Sequence, residues 1–592
     1  NILEPLYESC IMRMRSFVED EDFINNQNKQ SFCHKYNDFR ETLKYIQGSN
    51  HPNQTYFIYK SIILKNLYGV DIMKEAVEIA KLRLFLKMVA TVDVDYNKPN
   101  LGLEPLPDID FNIRSGNTLI GFATEAELDK SFEGVMDFDD DKGKLKEKCD
   151  IVALTFSRYK EIQLKNGADY KDFKNAKDEL NNRLNQLNHE LSLLLAKTQY
   201  GIDITKNQHN PDNPFQSWFR QHLPFHWFAE FYEIINEKNG FDVVIGNPPY
   251  VEYSKIDYKL NGFYTLNCGN LYAFVIEKCI SISNQHSKLS MIIPMSGTVT
   301  KRMIPLQKLL SKSRLTRCLY FAGDSNPGQL FEGVKSQLCI FNTEKSKDKN
   351  LLWTSKYKRW FYEERKVLFE TLSLCESTNY IQETHFKKIH YEIEKDILNK
   401  LKLNKKLGSF LATSKKDILY YKNAGNAYYR MCYTTKPITN ENGVSKDSST
   451  LNSISFSFSN QIAQGIISSN LFNYYWFISS DCYHLTKQDI SDFMFIDIGK
   501  INEKDKSNLE RISRNLEKDY HSNSILKVTN YKTKGVIEYQ EFYPRLSKFI
   551  MDEIDTILSQ HYGFTEEELD FIINYDIKYR MGKELENGEE EE

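Results

Sequence analysis

The chain lacks the spaced cysteine pairs that zinc sites and disulfide frameworks need. Its 592 residues include 10 cysteines, but no C-x-x-C pair and no accompanying run of histidines. We therefore expect no metal site. Scattered thiols in a large chain favour a reducing cytoplasm over a disulfide-bonded, secreted protein.

Long apolar runs and targeting segments are also missing. No stretch approaches the roughly 20 apolar residues that a membrane-spanning helix needs, and no signal peptide is visible. Hydrophobic residues at 41% and charged residues at 27% are ordinary for a globular protein that buries a core. We therefore expect a cytoplasmic protein that has no membrane partner.

An excess of positive charge is missing too, because 77 Lys and Arg residues face 81 Asp and Glu residues, a formal net charge of −4. If such a chain binds nucleic acid, it must concentrate positive charge in a cleft, since phosphate contacts supply much of the affinity. Aromatic residues reach 13%, which fits stacking surfaces but also an AT-rich coding sequence. The run from Glu589 to Glu592 indicates a solvated acidic tail.

Apolar periodicity indicates strands that alternate with helices. A strand that ends at Asp71 precedes an amphipathic helix over Lys74 to Val89. The compact apolar run from Phe241 to Gly246 indicates a parallel strand that is buried on both faces. Further strand candidates are Leu289 to Pro294, Thr316 to Ala322 and Gln337 to Asn342. This alternation predicts an open, mostly parallel α/β sheet.

Other segments differ in composition. Residues from about 125 to 200 are charged and end in leucines at helical spacing, Leu184 to Leu195, which predicts an inserted helical arm. A solvated hairpin that serves only as a spacer fits this segment equally well. After residue 345 Lys and Arg become more frequent, with Tyr and Trp interspersed. Residues 436–455, rich in Thr, Ser, Asn and Gly, predict a surface loop.

The most informative motif is Asn247-Pro248-Pro249-Tyr250, directly after the run at Phe241. Two prolines cannot continue a central ladder, so the strand must end there and expose its carboxyl edge, where open α/β sheets bind ligands. The Asn247 oxygen and the Pro248 carbonyl can each accept one N–H of a planar amine, and Tyr250 can stack on its ring. Such bonds would localise the lone pair of a weak nucleophile such as the adenine amine. The alternative is a strand-terminating turn with two prolines.

Three other segments are candidates for binding a cofactor. Asp71 can take the ribose hydroxyls of an adenosine-containing cofactor and Ile72 can lie against the adenine, although Asp71 could instead be a helix N-cap. Asn117, in a Ser-Gly-Asn turn, can hydrogen-bond the adenine edge or merely form the turn. Residues 268–275 are either a wall of the cofactor pocket or a core helix that Asn270 caps.

In their order, these motifs resemble the N6-adenine DNA methyltransferases of the γ arrangement, and more closely the large single-chain enzymes of type II, subclass G, restriction–modification systems. The tetrapeptide and the Asp71 segment are the specific parts of this resemblance, which spans nearly the whole chain. The matching segments are Leu67 to Leu84, Asn112 to Gly121, Phe241 to Tyr253, Gly269 to Glu277, Phe331 to Phe341 and Tyr539 to Arg580.

The resemblance implies an α/β fold: a Rossmann-like methyltransferase sheet followed by an α+β target-recognition domain. The methyltransferase domain would cover residues 1–345, with the helical insertion at about 125–235. The target-recognition domain would cover 346–540, and a helical segment with the acidic tail would cover 541–592.

It also implies a site-specific DNA methyltransferase that moves a methyl group from S-adenosylmethionine to the N6 amine of a flipped adenine, within a restriction–modification or phage-defence system. The catalytic residues would be Asn247, Pro248, Pro249 and Tyr250. The cofactor residues would be Asp71, Ile72 and Asn117. Phe331 or Phe321 would stack on the second face of the base. The candidate phosphate contacts are Lys356, Lys358, Arg359, Lys387 and Lys388.

One departure from the family concerns the Gly-rich loop that follows its first strand. Residues 1–67 contain no such loop, and the opening of the chain resembles the helix that comes next, so we expect the loop just upstream of Asn1. Double-stranded DNA is the expected partner, and a nuclease domain or subunit is a further candidate, although no nuclease motif is found. Two alternatives stay open: an RNA or protein-glutamine methyltransferase, and a DNA-binding specificity fragment without activity alone.

Overall fold

The computed structural model divides the chain into two compact units. The first unit comprises Asn1–Asp242, Ile256–Phe263 and Lys278–Asn284, and the second comprises Val243–Lys255, Tyr264–Glu277 and Gln285–Glu592. Within them, the structure describes residues 3–28, 35–47, 53–97, 101, 106–132, 141–164, 170–203, 213–323, 328–331, 333–346, 350–381, 385–412, 418–424, 429–531 and 535–581. The predicted acidic tail at Glu589 to Glu592 lies outside the described residues.

The first unit is mainly helical. Its helices are α1 (Leu3–Asn28), α2 (Asn37–Gln47), α3 (Gln54–Asn66), α4 (Lys74–Val89), α5 (Glu125–Ser131), α6 (Asp141–Leu164), α7 (Tyr170–Tyr200), α8 (Pro214–His222) and α9 (Trp227–Glu230). The prediction for α4 is confirmed, since Val77 and Met88 are buried in one cluster with Ala80 and Leu84 packed against it. Helices α5 to α9 lie where the helical insertion was predicted.

Two short parallel strands of the first unit, β1 (Gly69–Asp71) and β2 (Ile113–Ser115), bring two candidate segments together. Gly69 pairs with Ile113 and Asp71 pairs with Ser115. The buried Asn112 side chain donates to the carbonyls of Ile63, Leu64 and Leu67 at 3.1–3.2 Å, which ties the end of α3 to the start of β2. The carboxyl ends of both strands therefore lie side by side.

A six-stranded sheet, most of it in the second unit, has the order β3-β4-β6-β5-β7-β8. Its strands are β3 (Phe241–Gly246), β4 (Ser283–Pro294), β5 (Arg314–Phe321), β6 (Leu338–Lys345), β7 (Leu351–Lys358) and β8 (Cys375–Glu376). The strands predicted within β4, β5 and β6 are confirmed. Strands β7 and β8 continue the sheet beyond residue 345, where the sequence predicted a domain boundary.

The prediction of a mostly parallel sheet is wrong. Strand β6 runs antiparallel to β4 and β5, and β8 runs antiparallel to β7, while β5 and β7 are parallel. Strand β6 is inserted between β4 and β5, and the described residues that connect β5 to β6 form no crossover helix of the kind that parallel neighbours need. The fold is therefore mixed α/β with a mixed central sheet.

The prediction that β3 is buried on both faces is also wrong. Val243 is 61% exposed and Ile245 is 76% exposed. Strand β3 is the last strand of the sheet and β4 is its one neighbour, so its other edge carries no partner among the described residues. An apolar sequence alone does not distinguish a central strand from this terminal one.

One edge of the sheet gathers several strand ends. Pro294 and Phe321 both pair with Leu338, and Phe321 also pairs with Lys358. The carboxyl ends of β4, β5 and β7 therefore meet where β6 begins. We call this the carboxyl edge.

The remaining elements lie mainly in the second unit. The helices are α10 (Leu271–Ser281), α11 (Ser296–Val299), α12 (Ile304–Ser311), α13 (Glu392–Lys402), α14 (Asn460–Ser468), α15 (Asn470–Ser479), α16 (Lys487–Asp492), α17 (Glu503–Ser522), α18 (Lys548–Tyr562), α19 (Glu566–Ile573) and α20 (Ile577–Arg580). The strands are β9 (Lys405–Lys406), β10 (Leu419–Lys422), β11 (Cys432–Tyr433), β12 (Thr439–Glu441), β13 (Val444–Ser445), β14 (Leu451–Ile454), β15 (Met494–Phe495), β16 (Ser524–Tyr531) and β17 (Gly535–Phe542).

The surface loop predicted at residues 436–455 is only partly a loop. It contains β12, β13 and β14, and the first two belong to the four-stranded sheet β13-β12-β17-β16. Glu441 pairs with Val444 across a two-residue turn, and both turn residues, Asn442 and Gly443, have positive φ. An Asn-Gly turn of this kind matches the twist of a hairpin.

Candidate functional site

The tetrapeptide follows β3, as the sequence predicted. Asn247 and Pro249 are exposed, and Pro248 is buried. The Asn247 side chain makes no hydrogen bond with any residue that the structure describes. Its amide is therefore neither buried nor satisfied by the core, and it is free to bind a ligand.

Tyr250 is held at the carboxyl edge. Its hydroxyl donates to the carbonyl of Ile292 in β4 at 3.0 Å, and its ring meets the Tyr272 ring edge-on, with the centroids 6.4 Å apart. Burial raises the pKa of Tyr250 to about 12, so the hydroxyl stays a donor at neutral pH. These contacts fix the plane of a half-buried ring immediately after the prolines.

The chain after Tyr250 is fixed against the start of α10. The Tyr253 amide donates to the Gly269 carbonyl, and the Leu271 amide donates to the Val251 carbonyl, both at 2.9 Å. Between these two hydrogen bonds, Glu252 and Asn270 lie opposite each other as an isolated antiparallel β-bridge. The segment from Val251 to Tyr253 is therefore a short strand-like rim.

A polar cluster consolidates this rim. The Asn270 Nδ2 donates to Glu252 Oε1 at 3.1 Å, and Arg302 donates through Nη1 to the same oxygen at 3.3 Å and through Nη2 to Glu252 Oε2. The hydrogen bond from Arg302 is the main cause that holds the pKa of Glu252 below its usual range. Asn270 does not cap α10 through its side chain, since its buried Oδ1 has no donor among the described residues.

Exposure distinguishes the two aromatic candidates for base stacking. Phe321, the last residue of β5, is fully buried, whereas Phe331 is 47% exposed. In the sequence, Phe331 lies between the end of β5 and the start of β6. Phe331 is therefore the more accessible of the two rings.

The cofactor candidates lie together in the first unit. The Gly116 amide donates to the Asp71 carbonyl at 2.9 Å, which joins the ends of β1 and β2. Asp71 Oδ1 accepts from the Met73 amide at 2.8 Å, but Met73 is the N-cap of α4, so the N-cap alternative for Asp71 is wrong. Asp71 Oδ2 has no partner in the described part of the chain, and the neighbouring Ile72 is 47% exposed.

Asn117 presents a buried donor. Its Oδ1 accepts from the Leu119 amide at 3.1 Å, and this bond fixes the orientation of the side-chain amide. Its Nδ2 has no acceptor among the described residues, although the residue is only 3% exposed. The turn packs closely on Phe225, whose carbonyl oxygen would overlap a Cβ on Gly121, a residue with φ of +137°.

Three of the predicted phosphate contacts are wrong. Arg359, Lys387 and Lys388 are at most 1% exposed, and each of the three has a polar partner inside the second unit. Lys387 donates to Ser479 Oγ and Lys388 donates to the Ser480 carbonyl, both at 2.5 Å. Burial, and then the charge of Lys388, lowers the pKa of Lys387 to about 7.

Of the other two, Lys356 forms an ion pair with Asp576 at 3.3 Å, and Lys358 is half-buried. In the ranges that the structure describes, no group of three or more His, Cys, Asp or Glu side chains is placed to hold a metal ion. None of the described helices combines the length and the apolar character needed to cross a membrane.

Comparison with known proteins finds similarity over part of the chain. Residues 65–327 match the family profile described as the Eco57I restriction-modification methylase. A protein of Methanocaldococcus jannaschii, named as a predicted type II restriction enzyme and methyltransferase, is 29% identical over 365 residues. That match covers 53% of this chain and 29% of the length of the relative.

Two solved structures are similar to the chain at low scores. The type IIL restriction-modification enzyme MmeI in complex with DNA has a TM-score of 0.33 and 13% identity, over 96% of this chain and 98% of that one. The type IIG restriction endonuclease BpuSI has a TM-score of 0.23 and 11% identity, over 90% of this chain and 77% of that one. Residues 65–327 are therefore similar to an Eco57I restriction-modification methylase domain.

Proposed function

We propose that the chain is part of a DNA methyltransferase that moves a methyl group from S-adenosylmethionine to the N6 amine of an extruded adenine, within a restriction–modification system. The observation that carries this proposal is the free Asn247 amide at the end of β3, followed by a buried proline and by a tyrosine whose ring is held in place. The family match over residues 65–327 supports methyl transfer as the reaction.

The tetrapeptide suits an aromatic amine as the nucleophile. The adenine amine is weakly nucleophilic because its lone pair is delocalised into the ring. Acceptance of one N–H by Asn247 Oδ1 and of the other by the Pro248 carbonyl localises that lone pair. Neither oxygen has to act as a strong base, because the proton leaves after the nitrogen has become positively charged.

An adenine must leave the duplex to reach these groups, and extrusion costs a few kcal/mol. Tyr250, with its hydroxyl tied to Ile292, offers a fixed ring for one face of the extruded base. Phe331, which is 47% exposed, is the proposed partner for the other face. Stacking on aromatic rings contributes roughly 1–3 kcal/mol per base, which is enough to offset much of the extrusion.

The first unit holds the residues proposed for the cofactor. S-adenosylmethionine, when bound, supplies a methyl group on a positively charged sulfur. The free Asp71 oxygen can accept from ribose hydroxyls, and Ile72 offers apolar surface to the adenine. The free N–H groups of Asn117 Nδ2 are donors, so they suit a ring nitrogen of the cofactor adenine rather than its amine.

The test is a methylation assay with radiolabelled S-adenosylmethionine and three acceptors: double-stranded DNA, RNA and protein. We expect label in DNA, and N6-methyladenine as the product when the DNA is digested to nucleosides. Label in RNA or protein, or on a cytosine, would overturn the proposal. Calorimetry with S-adenosylhomocysteine tests the cofactor site separately, and absence of binding would favour a DNA-binding specificity fragment.

A further inference from the structure

An arginine with a fixed orientation lies beside the tetrapeptide in the second unit. Arg302 belongs to the short turn Lys301–Met303, which follows the carboxyl end of β4 through α11. Its guanidinium is held by Glu252, two residues after Tyr250. An arginine has five N–H donors, so N–H groups remain free in a side chain that is 47% exposed.

The backbone at Gly269 leaves space for this guanidinium. Gly269 has φ of +62°, and a Cβ there would lie 2.5 Å from Arg302 Nη2. The side-chain-free backbone at Gly269 therefore leaves the space in which the guanidinium lies. An ordinary surface ion pair needs no such glycine, because its two side chains can meet in several geometries and contribute little.

A second cation, Lys255, also acts on the carboxylate that holds Arg302. Lys255 is exposed and has no ion-pair partner among the described residues. Its charge acts on Glu252, as a smaller influence on the pKa of that carboxyl than the hydrogen bonds from Arg302 and Asn270. Arg302 and Lys255 thus place two cations beside the Glu252 carboxylate, which suits an anion that is bound at two points, such as a phosphodiester.

We propose that Arg302, held by Glu252 and assisted by Lys255, binds a backbone phosphate of the DNA next to the nucleotide that the tetrapeptide receives. This inference rests on the proposed function. A strand from which one base has been extruded needs its backbone held on at least one side, and a forked guanidinium holds a phosphate in a defined orientation. Arg302 is thus a positioning residue for the extruded adenine.

The experiment measures DNA affinity at several salt concentrations for the full chain. The probe is a fluorescent, mixed-sequence duplex with a central adenine opposite an abasic position, which lowers the cost of extrusion. Each phosphate contact contributes about 0.9 to the slope of log K against log salt. Arg302→Ala should therefore bind more weakly, with a slope that is lower by about 0.9.

Two further variants make the result specific. Lys308→Ala also removes one exposed cation, from α12, where Lys308 has no ion pair with a described residue, and it should leave the slope unchanged. Arg302→Lys keeps the charge but not the fork, so it should keep the slope and lose several-fold in affinity. If Arg302→Ala does not fold, the DNA affinity of Arg302→Lys tests the proposed role of Arg302 instead.

The outcomes separate this inference from the proposed function. Folded Arg302→Ala with the wild-type slope and affinity would overturn the assignment of Arg302, while DNA methylation could still stand. Wild-type affinity in Arg302→Lys, when the alanine variant does not fold, would overturn it as well. If the wild-type chain binds neither this duplex nor a fully paired one at low salt, the proposed function fails together with the inference.

Discussion

Replacement of Gly269 by alanine should weaken DNA binding through Arg302, although residue 269 itself would not touch the DNA. A left-handed backbone with a Cβ costs roughly 1–2 kcal/mol, and Gly269 has φ of +62°. The new Cβ would also lie 2.5 Å from Arg302 Nη2, so the guanidinium must move by roughly 1 Å to reach an ordinary contact distance. That movement breaks the two-point contact with Glu252.

Gly262 provides the matched control. It has φ of +78°, but a Cβ there would meet nothing within 4 Å. Gly262→Ala should therefore cost the same roughly 1–2 kcal/mol of strain and leave Arg302 in place. Urea unfolding measures the stability of both variants, and fluorescence titration measures their affinity for DNA.

We expect a lower free energy of unfolding in both variants. The loss should be larger in Gly269→Ala by at most about 1 kcal/mol, because that variant also loses an exposed ion pair. Only Gly269→Ala should show the weaker, less salt-dependent DNA binding that is predicted for Arg302→Ala. If Gly269→Ala and Gly262→Ala bind DNA alike at every salt concentration, the reasoning about the guanidinium is refuted.

Three further changes test other parts of the structure. Tyr250→Phe removes the 3.0 Å hydrogen bond to the Ile292 carbonyl but keeps the ring, so the free energy of unfolding should be lower by about 1 kcal/mol. Methyl transfer should fall less in Tyr250→Phe than in Tyr250→Ala. Equal losses of methyl transfer in the two variants would show that the ring has no role. Asn117→Ala should weaken S-adenosylhomocysteine binding about five- to tenfold by calorimetry, as expected for one hydrogen bond of about 1 kcal/mol; unchanged affinity would exclude Asn117 from the site. Burial raises the pKa of Asp555 to about 6, against about 3.9 when unfolded, so the stability of the wild type relative to Asp555→Asn should fall by about 2 kcal/mol as pH rises from about 4 to 7. A pH-independent difference in unfolding free energy between these two proteins would contradict that shift.

Local patterns predicted the elements that depend on neighbouring residues. Helix α4 has the predicted bounds because its apolar residues, Val77 to Met88, recur at helical spacing and pack on one cluster. The end of β3 follows from the chemistry of two prolines. The hairpin between β12 and β13 was missed, although Asn442-Gly443 between extended segments is the sequence signal for its turn.

Long-range pairing could not be obtained from such patterns. The insertion of β6 between β4 and β5 depends on contacts between distant strands, and so does the terminal position of β3, which leaves Val243 and Ile245 exposed. Burial of cations was likewise hidden, since Lys387 and Lys388 find their acceptors some 92 residues away in sequence. Local patterns could not predict the ion pair of Arg302 either, because its partner Glu252 lies 50 residues away in the sequence.

In the proposed reaction, Asn247 holds the amine that receives the methyl group. The most direct measurement is the amount of N6-methyladenine that the wild type and Asn247→Ala form in the same DNA, with DNA affinity measured in parallel. We predict equal affinity and a loss of methylation of about 10²- to 10³-fold, the size expected when one hydrogen-bonding group at a reacting centre is removed. Equal methylation by the two proteins would contradict the claim.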